Sequence, residues 1–319
     1  MYDLRSSPIC RHPIEKEKPL SFAAMLFAVL VIMFLTSFLQ AMVMVTAFFL
    51  TRYRALLAMS ESAVRAEEIA ALLQEFAQTD LCLLLQLFST VATIALTLTL
   101  CICLLKRKPS SLALSRRGSL WQYLLGLVLG VALFSASFGV ASINGAQRIL
   151  GVASPVNVGM LVLLFFGYVI QAASEEILFR GFVMCDLARR SSPVFAVLIS
   201  SLAFSLAHYS NTGIGFVALL NLFLFGVLAS VLVLRTGSLL GAAALHTAWN
   251  FTQGHVFGCR VSGLLTESTV LHTEAVDALK LTNGGAFGPE GGVAVTVVLL
   301  VSIALFLVFP SPKNKSEAE

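Results

Sequence analysis

The chain has 319 residues, 58% of them hydrophobic and 12% charged, with a net charge of +4 and a mean hydropathy of +0.90. Globular domains carry about a quarter charged residues, so this composition excludes an ordinary soluble protein. Its basic residues flank apolar runs instead of interleaving with aromatics, which argues against a nucleic-acid partner.

Residues 1–19 are polar and basic (Arg5, Arg11, Lys16, Lys18), and residues 20–50 then run without a charge. A signal peptide has an apolar core of about 7–15 residues, so this longer run reads as an uncleaved first span. Residues 51–80 carry Arg52, Arg54, Arg65, Glu67, Glu68 and Glu75, while Val64, Ile69, Leu72, Leu73 and Phe76 recur at helical spacing. That pattern predicts an amphipathic helix lying on the membrane. Residues 81–105 form the second span, closed by Lys106-Arg107-Lys108, and the third runs from about 120 to 140.

Residues 143–157 read as a loop, and the fourth span starts near Val158 and runs into Glu175. Residues 191–234 are too long for one span, with Asn211-Thr212-Gly213 as the break between two. Arg235-Thr236-Gly237-Ser238 separates the sixth span from the seventh, about 239–257. A Gly-rich stretch over 258–291 follows, either a cap over a cavity or a plain surface loop, and the eighth span is about 293–309.

The expected fold class is therefore all-α, a polytopic membrane bundle of about eight transmembrane helices with a polar intramembrane cavity. Three regions are expected: 1–157 with three spans and the amphipathic linker, 158–257 as the catalytic core, and 258–319 with the loop, last span and tail. Eight spans put both termini on one side. With that side cytoplasmic, inner segments hold fourteen basic residues, Arg116, Arg117, Lys313 and Lys315 among them, against six outside. The bias predicts a multi-pass protein of the cell membrane with both ends in the cytoplasm. Six scattered cysteines show neither a CxxC pair nor a disulfide framework.

Polar groups inside apolar runs point to function, because ionisable groups at membrane depth are costly. Glu175, Glu176 and Arg180 end the fourth span, His208 ends the fifth, and His246 and Asn250 lie in the seventh. Glu176 and Arg180 share a helix face at i, i+4, as do His246 and Asn250. Glu175 is rotated by about 100° from Glu176, so it need not be consumed by that pair. The two glutamates and Arg180 can equally form a compensated cluster that staples helices together. Two imidazoles and a carboxylate make a plausible zinc site, and a carboxylate can deprotonate a bound water. Asn250 supplies either a donor for an oxyanion or an interhelical hydrogen bond.

Read as EExxxR (Glu175, Glu176, Arg180), FxxxH (Phe204, His208) and HxxxN (His246, Asn250), these motifs resemble those of the CPBP intramembrane metalloprotease family. That family is also called the CAAX-protease or Abi family. The resemblance covers residues of about 170–251 and implies a bundle whose polar cavity hydrolyses peptide bonds in or near the membrane. It implies catalytic roles for Glu175, His246 and Asn250, support from Glu176 and Arg180, and Zn2+ held by His208, His246 and Glu175. The implied partner is a membrane-anchored or lipidated peptide or protein within the lipid bilayer. A proton-coupled transporter and a non-catalytic membrane scaffold stay open as other functions.

One geometric tension accompanies this reading. Counting about 1.5 Å per residue from the flanking arginines places Glu175, His246 and His208 at depths of about 21, 16 and 27 Å. Helices that tilt or break must close that gap.

Overall fold

The computed structural model describes residue 7 and residues 19–58, 65–114, 119–265 and 267–309. Arg5, Arg11, Lys16, Lys18, Arg116, Arg117, Lys313 and Lys315, on which much of the expected charge bias rests, lie outside them.

Helix α1 (Phe22–Ala58) opens with Ser21 accepting the Ala24 amide through its hydroxyl at 3.2 Å. Phe27 and Phe34 stand exposed on one side, while Met25, Val29 and Ile32 are buried on the other. That is the surface a lipid-facing span requires. The helix runs eight residues past its expected end at residue 50. Helix α2 (Arg65–Ala77) is the amphipathic linker, held to α1 by the Arg52–Glu75 ion pair at 2.8 Å and by Phe76 against Phe48.

Helices α3 (Asp80–Ser89) and α4 (Val91–Leu98) continue through a π-helical stretch, Thr99–Leu104, as one apolar segment. Thr79 caps α3 by accepting the Cys82 amide at 3.2 Å. Inside the bilayer such segments join through polar side chains. Thr36 and Thr93 share a hydrogen bond of 3.0 Å, and Gln40 donates to the Gln86 carbonyl at 3.1 Å.

Helix α5 (Ser119–Ile143) packs along α10 (Leu240–Phe251). The contact depends on two glycines. A Cβ on Gly126 would lie 2.2 Å from the Gly241 carbonyl oxygen, and one on Gly130 would lie 2.3 Å from that of Leu245. Small residues let membrane helices approach to backbone contact, and here they bring α10, buried along most of its length, against α5.

Helix α6 (Val158–Glu176) is capped by Asn157, which accepts the Met160 amide at 3.1 Å. It continues without interruption through π-helical Ile177–Met184 into α7 (Cys185–Ala188). Helix α8 (Pro193–Ala207) starts on the Ser192 cap, with proline where a missing amide costs nothing. Gly237, at φ +69°, ends α9 (Phe216–Thr236) in the left-handed conformation that glycine adopts freely. Helix α10 runs on through π-helical Thr252–Val256. After the short α11 (Lys280–Asn283), α12 (Val293–Val308) ends the described chain.

The expected all-α membrane bundle is thus the observed one. Among the described residues, five helical segments are long and apolar enough to cross a membrane, and α8 and α12 are shorter apolar helices. None of the described cysteines is in a disulfide.

Two stretches read as loops contain more order than expected. Gln147–Val152 (β1) and Leu271–Ala275 (β2) pair antiparallel, Gln147 opposite Ala275 and Val152 opposite Leu271. A long separation and short, irregular alternation hid that pairing in the sequence. Asp80 also pins the 258–291 stretch, its carboxylate accepting the Glu267 and Ser268 amides at 3.2 Å and the Ser268 hydroxyl.

Candidate active site

The C-terminal end of α6 supplies the carboxylates. On successive turns Gln171 and Glu175 share one face, and Gln171 Nε2 donates to Glu175 Oε1 at 2.6 Å. Glu176 points elsewhere and is fully buried. Its Oε1 accepts Arg180 Nη1 at 2.9 Å and His246 Nδ1 at 3.1 Å. Arg180, also fully buried, lays its guanidinium over the Phe204 ring, 4.3 Å from the centroid. A cation on an aromatic face gains electrostatic energy that grows with desolvation. The buried charge is therefore compensated by a carboxylate and a ring, as membrane depth demands.

His246 is fixed by this arrangement. A carboxylate can only accept, so Nδ1 carries the proton directed at Glu176 and Nε2 faces away. Nε2 stands 3.8 Å from Glu175 Oε2. That is too long for a direct hydrogen bond and short enough for one water to touch both. Glu175 Oε2 receives no hydrogen bond among the described residues.

Asn250, one turn beyond His246, donates through Nδ2 to Gln171 Oε1 at 3.1 Å. Gln171 thereby ties Asn250 to Glu175. Sequence reasoning passed over this residue, although its i−4 spacing from Glu175 in an otherwise apolar run was a usable signal.

His208 follows the last residue of α8. Its Nδ1 lies 2.8 Å from the Phe204 carbonyl, an acceptor, so its Nε2 is the free nitrogen. Phe204 stacks near both imidazoles and Arg180 at once, which is the physical content of the FxxxH spacing. His208, Glu175 and Asn250 all line a cavity of about 320 Å3 between α1, α3 and α6. All six predicted site residues thus meet around one region.

The donors around it do not form a closed zinc triad. Glu175 and His246 make a pair, and among the described residues no three His, Cys, Asp or Glu side chains group as a metal site.

The Gly-rich loop reaches the same place. Ser262 lines the large cavity, and Glu290 lines a smaller one beside His208 and His246. Burial pushes the Glu290 carboxyl up from its ordinary range, against hydrogen bonds from Ser262 and Gln253.

Residues 157–252 match the family described as "Type II CAAX prenyl endopeptidase Rce1-like". That segment carries all three motifs, and the match supports the CPBP/CAAX-protease family and an intramembrane endopeptidase. A search of curated proteins found no match to the chain. The apolar helices make it a multi-pass membrane protein.

Proposed function

We propose that this chain hydrolyses a peptide bond in a membrane-associated substrate, with Glu175 as the base that activates water. The carrying observation is the arrangement Glu175–His246–Glu176, at 3.8 and 3.1 Å. Glu175 takes a proton from the water as its oxygen attacks the scissile carbonyl. The resulting oxyanion accepts a hydrogen bond from Asn250 Nδ2, while His246, its Nδ1–H held by Glu176, keeps Nε2 toward the attacking water. Glu175 then passes its proton to the departing amine, which leaves a new carboxylate and a free N-terminus.

A substrate anchored or lipidated at its C-terminus suits a site at membrane depth, and the family's name points to a prenylated one. Zn2+ held by Glu175, His208 and His246 is a separate proposal taken from the family resemblance. It requires a third donor to join the observed pair, and no step above depends on it. About one zinc per purified chain, lost in a His208→Ala/His246→Ala double variant, supports it; metal-free active protein refutes it. We also propose that both termini face the cytoplasm, as the basic residues favour.

Asn250→Ala tests the oxyanion role. Removing one such donor costs about 10²–10³ in kcat. An unchanged kcat on a reconstituted membrane-anchored peptide removes Asn250 from the mechanism.

A further inference from the structure

Hydrolysis consumes one water per bond cut, and the proposed base lies among apolar helices, so the water must be held close by. A small cavity of about 30 Å3 adjoins His208 and His246, with Gln171, Asn250, Trp249 and Glu290 in its walls. A buried water needs about 10–15 Å3 of such space and two to four polar partners, so about two waters fit. Trp249 gives an independent indication. It is 1% exposed, and its indole N–H meets no acceptor among the described residues. Buried donors in folded proteins are nearly always satisfied by protein or water.

The polar wall is firmly built. Glu290 Oε2 accepts the Ser262 amide at 2.8 Å and its hydroxyl at 3.1 Å. Buried Asn221 donates to the main-chain carbonyls of Glu290 and Gly292 at 2.7 and 2.9 Å, and accepts Thr296 Oγ1 at 2.6 Å. The turn bearing Glu290 is therefore locked onto α9 and α12. Gln171, His208, Asn250 and Ser262 line both this cavity and the larger one that holds Glu175, so the two adjoin.

We propose that this cavity is a water site that refills the attacking position at Glu175, with Glu290 as the residue that positions its water. The role in turnover rests on the peptidase reading; the presence of water does not.

The test uses full-length protein and two readouts. The chain has two tryptophans, and Trp121 is exposed, so Trp121→Phe isolates Trp249 emission. Indole emission brightens in D2O where water reaches the N–H. The expected results are a D2O response in Trp121→Phe, its loss in Trp121→Phe/Glu290→Leu, and a fall of about tenfold in kcat for Glu290→Leu at nearly constant KM. Glu290→Gln, which keeps a polar anchor, should restore kcat to within about threefold. A Glu290 that merely latches the loop leaves the Trp249 response in place. No D2O response in the parent, or full kcat in Glu290→Leu, overturns the proposal. Should no peptide be cleaved by any form, the peptidase reading fails, and the Trp249 response alone still decides whether the site holds water.

Discussion

Glu176 Oε1 stands 3.1 Å from His246 Nδ1 and accepts Arg180 at the same oxygen. One buried carboxylate therefore orients the imidazole and neutralises the guanidinium. Replacing it with an amide keeps the shape but leaves Arg180 uncompensated and the histidine free to turn. Glu176→Gln should lower turnover by about 10–100-fold, the usual cost of losing a residue that orients a functional histidine. Turnover at saturating substrate, beside a far-ultraviolet spectrum showing intact helices, checks this.

Gln171 is the second orienting residue, bonded to Glu175 and Asn250 at once. Gln171→Leu fills the same space and breaks both bonds. We expect a loss of about tenfold in kcat with little change in KM, since only the reacting groups are disturbed. A pure KM effect would place Gln171 in substrate binding instead.

The α5–α10 contact allows no Cβ at Gly130. Gly130→Ala should force the helices apart and cost about 1–3 kcal/mol, the range for overpacked cores. Because α10 carries His246 and Asn250, cleavage should fall as well. Thermal unfolding in detergent and activity measured on the same sample test both effects.

Away from the site, Asp186 is fully buried and meets Arg107 at 2.6 Å, with Arg189 and Arg190 nearby. Removing one member of such a pair strands a buried charge, at about 3–5 kcal/mol. Asp186→Ala should therefore unfold at a markedly lower temperature than the parent, whereas Asp186→Asn should lose less. Equal melting of parent and Asp186→Ala would contradict the ion-pair account.

The bundle and its polar motifs were legible because both are local signals. A charge in an apolar run is visible without any tertiary knowledge, and i, i+4 spacing correctly paired Glu176 with Arg180. The counted depth gap among Glu175, His246 and His208 is closed in the structure, where Glu175 stands 3.8 Å from His246 and lines one cavity with His208. In the structure α6 passes into a π-helical stretch directly after Glu176, α8 ends at His208, and α10 turns π-helical beyond Asn250. Such irregularities leave no mark in hydrophobic periodicity. Glu290 was hidden for another reason: its place in the site depends on a long loop folding back, and sequence separation conceals that contact. The β1–β2 pairing is of the same kind.

The most direct test is cleavage of a membrane-anchored, lipidated peptide by protein reconstituted in liposomes, comparing wild type with Glu175→Ala and His246→Ala. The account predicts that wild type cuts the peptide while both variants, folded as judged by melting, yield no product above background. Normal cleavage by both variants would contradict it.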